Sequence, residues 1–365
     1  MRSVAAVLTE FESPFFVGPV ELAEPGPGQV VIRTTAAPFC STDWMGWRAM
    51  RRKQPPVILG HTAVGVVEAV GSAVGSAVAD LVPGDRVLVA GTPECGECFY
   101  CGIGRPDQCS VLMDGTDPVV ATLSDGQEVR AAGRVGAYSE LILADAIQVH
   151  RLPDSLPDEV ACLLGCGIST ALGAVFTVAE VQPGQSVAIV GLGHLGLWAV
   201  QAARLAGAGR IIGVDGHPAR RRLALEMGAT DIVDSARVDP VAGVQQLTSG
   251  RGADVVIEAA GPALATRQAV MMARRAGTIV LAGVAHSATE VDLPQLQLTV
   301  HGKRILGCQN GQIRPRHDMP RWMSLLESGA LDPSPFITRR YALADIDTTL
   351  RRSLSHDDLT GVLLP

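Results

Sequence analysis

The sequence has no long run of lysine and arginine. Its 30 basic residues are outnumbered by 37 acidic ones, for a formal net charge of −7. Nucleic acid is therefore not expected as a partner. No uninterrupted apolar run reaches the roughly 18 residues that a membrane-spanning helix needs, so no membrane partner is expected either. The opening stretch MRSVAAVLTEFESPFF is acidic by Glu10 and lacks the layout of a signal peptide, and a soluble cytoplasmic chain is expected. Internal repeats and low-complexity tracts are absent. Charged residues make up only 18% of the chain against 47% hydrophobic, the balance of a well-buried globular protein. At 365 residues it is too long for one small core, and two domains are expected.

Thiols, by contrast, are crowded. Four of the eight cysteines fall in CGECFYCGIGRPDQC, at Cys95, Cys98, Cys101 and Cys109, spaced C-x2-C-x2-C-x7-C. Disulfides, a reactive thiol and a metal are the candidates. In a reducing compartment, clustered cysteines are more often metal ligands. Gly96 and Gly102 let the loop fold back, and four thiolates would fill the tetrahedral shell of zinc, leaving no place for water. Such a site clips a loop. Cys40 in PFCSTD, His61 in LGHT and Cys166 in LLGCGIS stand far apart. Spacing alone does not make them ligands, because buried cysteine is common in cores.

Residues 1–160 carry short alternating runs, QVVIRTTAAP (29–38), AVGVVEAVG (63–71) and DRVLVA (85–90), separated by PGPG and PGD turns. They read as a β-barrel or sandwich. SDGQ (124–127) reads as a hairpin tip with a tight primed turn. After about 160, SVAIV (186–190), RIIGVD (210–215), VVIEAAG (255–261) and GTIVLAGV (277–284) alternate with helical stretches at 195–208 and 218–229. That alternation predicts a doubly wound parallel sheet, an α/β architecture.

GLGHLG (191–196) fits G-x-G-x-x-G, follows an apolar strand and opens a helix. Gly191 would make the tight turn, Gly193 would admit a pyrophosphate and Gly196 would let the helix pack on the strand. The helix N-terminus, from His194 and Leu195, offers amide donors to phosphate. Asp215 ends the next strand, where a carboxylate accepts from ribose hydroxyls and repels a 2′-phosphate, favouring NAD over NADP. Gly283 and Val284 complete the expected cofactor contacts. His194 also reads as a tolerated variable position of the motif.

Together, PFCSTD (38–43), GHTAVGVVEAVG (60–71), PGDRV (83–87), the four-cysteine loop, LGCGISTALGAV (164–175), GLGHLG with Asp215, and the tail at 318–346 resemble the zinc-dependent medium-chain alcohol dehydrogenase family. The resemblance implies a GroES-like β-barrel catalytic domain (1–160 and 307–365) and a Rossmann domain (161–306). By position it implies a catalytic zinc on Cys40, His61 and Cys166, and a structural zinc on Cys95, Cys98, Cys101 and Cys109. Thr42 matches the hydroxyl that passes on the substrate proton, and Asp43 the carboxylate that orients His61. Cys162 and Cys308 are left to the core. The implied activity is interconversion of an alcohol and its aldehyde or ketone by hydride transfer with NAD(H), in a homodimer or homotetramer. The segment 303–308 falls where family dimers pair.

Several positions depart from the family. Thr62 replaces a glutamate, and Met45 replaces a proton-relay histidine. HDDLTGVLL lacks an arginine that some members place on the cofactor pyrophosphate. Gly91 and Ala137 stand where aromatic pocket walls are found, which suggests room for a bulky substrate. Arg51, within the basic run WRAMRRK, is a candidate contact for an anionic substrate group. Thr62 and Met45 also leave open a specialised biosynthetic member acting on an anionic or polyol-like intermediate, with net non-redox chemistry on retained NAD. A non-catalytic binding protein on the same scaffold is the remaining possibility.

Overall fold

The computed structural model describes residues 1–50, 54–72, 81–355 and 357–365. It divides into two compact units, Met1–Cys166 with Arg314–Pro365, and Gly167–Ile313. The expected boundaries fall a few residues earlier at each crossing. The helical turns Asp158–Ala161 and Cys162–Gly165 pack on the strands Gln29–Pro38 and Thr62–Val70, which keeps them in the first unit. The turn Gln309–Gln312 packs on the helix Gly167–Gly173 so tightly that a Cβ at Gly173 would lie 2.2 Å from the Gly311 carbonyl oxygen.

In the first unit, Arg2–Leu8, Phe16–Leu22, Val119–Thr122, Glu128–Ala131 and Val57–Ile58 pair in succession. Val57–Ile58 returns to Arg2–Leu8, closing a five-stranded barrel without free edges. A second, seven-stranded sheet is built around Gln29–Pro38. One edge of that strand takes Thr62–Val70, followed by Arg86–Ala90 and Val149–Arg151. The other edge is shared by Leu141–Asp145 and Gly361–Leu364, with Arg339–Ala342 beyond. One continuous core, including Leu8, Ile32, Ile58, Val89, Tyr138 and Ile142, fills this unit. The hairpin at 119–131 forms, but without the primed turn. Gly126 N–H donates to the Leu123 carbonyl at 2.9 Å, Gly126 has φ +85°, and Ser124 and Asp125 stay at negative φ. Asp-Gly thus makes a three-residue loop with a left-handed glycine rather than a two-residue one.

In the second unit a six-stranded parallel sheet has Ser186–Val190 near its centre. Arg210–Asp215 and Asp231–Asp234 lie on one side, and Ala253–Glu258, Ala273–Leu281 and Arg304–Gly307 on the other. The central strands Ser186–Val190 and Ala253–Glu258 are apolar through their middles, as expected of a sheet with helices on both faces. The helix Pro218–Met227 starts at a proline and stops at Gly228, which is left-handed at φ +115°. The chain reverses direction across the sheet between Ser186–Val190 and Ala253–Glu258, a switch point that opens a crevice at the carboxyl ends of the strands. Among the described residues, Arg304–Gly307 pairs on one side only. No single described helix is long and apolar enough to cross a membrane.

Candidate metal centres and cofactor crevice

Cys40 lies just past the end of Gln29–Pro38, and His61 just before the start of its antiparallel neighbour Thr62–Val70. Both therefore emerge at the same end of the sheet. Cys166 follows the turn Cys162–Gly165, which rests on Thr62. The Sγ atoms of Cys40 and Cys166 and a ring nitrogen of His61 all lie within 4.8 Å of one another. Two thiolates and an imidazole suit zinc and leave one coordination position open.

The surroundings set the chemistry of these ligands. Asp43, 5% exposed, is saturated with donors. Its Oδ1 accepts from His61 Nδ1 at 3.2 Å and from Gly60 N–H at 3.2 Å. Its Oδ2 accepts from Cys40 N–H at 3.1 Å and from the Tyr138 hydroxyl at 2.8 Å. With Nδ1 committed to Asp43, Nε2 is the nitrogen left for a metal. Hydrogen bonding from Cys166 is the main influence on the Cys40 thiol. With His61 and the Thr42 hydroxyl it outweighs burial and holds Cys40 well below its ordinary range. Burial alone would lower His61, but Asp43 and Cys40 raise it to about 10. These same contacts favour the thiolate of Cys40, the form in which a cysteine would ligate a metal. Thr42 donates to Cys40 Sγ at 3.3 Å, which puts the expected proton-passing hydroxyl beside a ligand.

Tyr138 was not legible as a site residue. A fully buried tyrosine in an apolar segment needs a polar partner, and that requirement is the only signal the sequence carries. Two expected pocket residues are closely approached by neighbouring groups. A Cβ at Gly91 would lie 2.9 Å from the His61 carbonyl oxygen, so this glycine serves close approach to His61. Ala137 is fully buried in the barrel core against Gly60 and lines no open space. Met45 is 4% exposed and Thr62 1% exposed. The Thr62 hydroxyl donates to the Cys162 carbonyl at 3.4 Å. Arg48 is exposed over the Trp44 ring, while Arg51 lies outside the described residues.

Cys95, Cys98, Cys101 and Cys109 likewise converge, with their sulfurs within 4.8 Å of one another. Cys95 and Cys101 Sγ are 3.8 Å apart. Tetrahedral zinc with Zn–S bonds of about 2.3 Å requires an S···S edge of about 3.8 Å. Amide donation from Cys101 and Ser110 lowers Cys98 to about 6, whereas burial pushes Cys101 up to about 12. Cys162 and Cys308 are buried, and neither belongs to either group.

In the second unit, Gly191 turns at φ +88° directly after Ser186–Val190. A Cβ at Gly196 would lie 1.8 Å from the Gly191 carbonyl oxygen, whereas one at Gly193 would meet nothing within 4 Å. The first contact explains the close helix–strand packing, and the second leaves a cradle for a phosphate. His194 and Leu195, both half-buried, form the first turn of the helix His194–Leu205. The His194 ring is edge-on to Trp198, and a Cβ at Gly167 would come within 2.0 Å of its Nε2. Asp215 accepts from Leu192 N–H at 2.8 Å and His217 N–H at 2.6 Å. Arg221, six residues past Asp215, is tied to Asp234 at 2.7 Å. Glu258 is 1% exposed and accepts from Ala260 and Gly261 N–H, while its own carbonyl accepts from Gly283 N–H. Burial raises its carboxyl, and those amides hold it back. The 191–196, 259–261 and 282–284 loops, with exposed Val284 at the rim, thus form one crevice edge.

Comparison with known proteins agrees with this reading. Residues 26–154 match the alcohol dehydrogenase GroES-like domain, and residues 195–328 match the zinc-binding dehydrogenase domain. An S-(hydroxymethyl)glutathione dehydrogenase of Synechocystis is 34% identical, over 98% of this chain and 97% of the relative. An Escherichia coli protein of the same name is 34% identical over 95% of each chain. Among solved structures, benzyl alcohol dehydrogenase from Acinetobacter calcoaceticus aligns with a TM-score of 0.91 at 27% identity, covering 100% of this chain and 99% of the other. An alcohol dehydrogenase zinc-binding domain protein from Burkholderia ambifaria gives 0.92 at 30%, with the same coverage. Fold and metal site together define a zinc-binding oxidoreductase. Within that class, the chain belongs to the zinc-dependent medium-chain alcohol dehydrogenase family.

Proposed function

We propose that this protein oxidises a bulky primary or secondary alcohol to its aldehyde or ketone, or runs the reverse reaction, with NAD(H) as hydride carrier. Two zinc ions per chain are part of the proposal, a catalytic one on Cys40, His61 and Cys166 and a structural one on Cys95, Cys98, Cys101 and Cys109. A cytoplasmic homodimer or homotetramer completes it. The observation that carries the reading is the convergence of the three ligand atoms with Asp43 holding the far nitrogen of His61. Bound there, zinc would act as a Lewis acid that makes an alcohol more acidic. Nicotinamide would accept the hydride. The chain's own residues do the rest. Asp43 and Tyr138 fix the tautomer of His61, Thr42 offers a hydroxyl to the substrate proton, and the glycine loop with the following helix N-terminus receives the pyrophosphate. Asp215 favours NAD, and the locked Arg221 weakens the case for NADP.

The preference for bulk rests on the relatives, whose names specify S-(hydroxymethyl)glutathione and benzyl alcohol, and no longer on Gly91 and Ala137. Thr62 and Met45 are both packed inside the protein, and similarity to proteins named as alcohol-oxidising dehydrogenases supports the redox reading over the non-redox alternative. The test is reduced-nicotinamide absorbance on zinc-replete protein, with NAD and NADP in parallel. Substrates would be benzyl, allylic, aliphatic and polyol alcohols and S-(hydroxymethyl)glutathione. Turnover of a bulky alcohol with NAD is expected. No turnover on any member, with both zinc ions bound, would overturn the proposal.

A further inference from the structure

His61 is held by more than Asp43. Its backbone and Cβ sit between two glycines. A Cβ at Gly91 would lie 2.9 Å from the His61 carbonyl oxygen, and one at Gly133 would lie 3.2 Å from the His61 Cβ. Neither wall touches a metal, yet a shift of either moves the ligand. The walls come from different places, Gly91 from the end of Arg86–Ala90 and Gly133 from the turn Ala132–Arg134. One side chain joins them. Gln148, fully buried, donates from Nε2 to the Ala90 carbonyl at 3.0 Å and, more weakly, to the Gly133 carbonyl at 3.4 Å.

The orientation of this amide is set by its surroundings. Turned over, it would present Oε1 to two carbonyl oxygens, which repel it. As placed, Oε1 is buried with no partner among the described residues. A buried unpaired carbonyl oxygen is unfavourable, and a methionine of the same length would avoid it. What methionine lacks is the donor pair. We infer that Gln148 is a positioning residue for the catalytic metal site, its amide clipping together the two segments that grip His61. The inference rests on the reading of Cys40, His61 and Cys166 as that site.

The test compares wild type with Gln148→Met in the full chain, each carrying Co(II) in the three-ligand site. The ligand-field and sulfur-to-cobalt absorption bands report the geometry of that site, and chelator-driven release reports how firmly it holds metal. Residues that support metal ligands typically change affinity by about 10–100-fold, so Gln148→Met should release metal about tenfold faster with displaced bands. Release from the four-cysteine site, which Gln148 does not touch, should stay unchanged. If Gln148→Met does not fold, Gln148→Asn carries the same readouts, because its amide is too short to reach both carbonyls. Wild-type bands and release in a folded variant, even one that melts earlier, would overturn the inference and leave Gln148 a packing residue. Failure of wild type to take Co(II) on Cys40, His61 and Cys166 would overturn the underlying metal-site reading as well.

Discussion

Replacing Asp43 by asparagine keeps the shape of the side chain and changes what it offers to four buried donors. The carboxylate accepts on one oxygen from His61 Nδ1 and Gly60 N–H, and on the other from Cys40 N–H and the Tyr138 hydroxyl. An amide must turn its NH2 toward one pair. The Tyr138 hydroxyl can rotate and accept, so the less costly orientation directs the NH2 at Cys40 and Tyr138. The Cys40 amide is then left unpaired, at about 1–3 kcal/mol. The bonds to His61 and Gly60 lose the charge that strengthened them, at about 1 kcal/mol each. The sum, about 3–5 kcal/mol, is a large share of the roughly 5–15 kcal/mol stability of a typical domain. The imidazole is also less firmly oriented, for which a loss of about 10–100-fold in metal affinity is the usual consequence. Urea unfolding of the zinc-loaded protein measures the first quantity. Competition with a chromogenic chelator measures the second, with the four-cysteine site as an internal reference. Catalytic-site affinity within twofold of wild type, together with unchanged unfolding, would refute the assignment of Asp43 as the group that fixes His61.

Asp215→Asn keeps an acceptor and removes the charge. The ratio of kcat/KM for NADP to that for NAD should rise by at least tenfold, about 1.4 kcal/mol, and an unchanged ratio would place cofactor choice elsewhere. Gly91→Ala puts a methyl 2.9 Å from the His61 carbonyl oxygen. Thermal unfolding and catalytic-site metal retention should both fall, by about 1–3 kcal/mol for the first, whereas wild-type values would show that the strand yields freely. Burial alone would raise Asp358, but hydrogen bonds from Tyr341 and Arg352 outweigh it and hold the carboxyl below its usual range. That stabilisation is fully present above the unfolded carboxyl value of about 3.9 and is lost as pH falls through the lower folded value. Asp358→Asn should therefore reduce stability near neutrality and flatten the acid limb of a pH–stability curve, and a parallel curve would show that the pair contributes nothing.

The parallel sheet was legible in the sequence because its strands are covered on both faces. SVAIV and RIIGVD are apolar through their centres, and the structure has strands over those same residues, Ser186–Val190 and Arg210–Asp215. The five-stranded barrel was legible only as texture. It closes through Val57–Ile58, two residues whose pairing with Arg2–Leu8 and Glu128–Ala131 no local pattern announces. The four-cysteine lobe could be read directly because its ligands are close in sequence. The other metal site needed family resemblance, since chain connectivity says nothing of how Cys40, His61 and Cys166 meet. Tyr138 stayed hidden because its role is a single bond to a residue 95 positions away. Ala137 was read as a pocket wall for a related reason, although it is fully buried in the core. A small residue signals room or close approach equally well, and only the neighbouring atoms decide which.

Those neighbours also show how the sheet delivers the proposed ligands. Gln29–Pro38 runs toward the metal site and Thr62–Val70 runs away from it, so the end of one and the start of the other present Cys40 and His61 side by side. Arg86–Ala90 runs toward the site again, with Ala90 opposite Thr62, which brings Gly91 against His61. Three successive antiparallel strands thus set two ligands and one wall at a single sheet end. Cys166 needs a different anchor, because it arrives from a helical turn. Thr62 supplies it. Its hydroxyl reaches the Cys162 carbonyl, and its side chain packs where a Cβ on Gly165 would lie 1.9 Å from Oγ1. A longer carboxylate at position 62 would have to enter space that the turn already fills. The threonine that looks like a loss beside the metal is, in this packing, the residue that seats the turn leading to the third ligand.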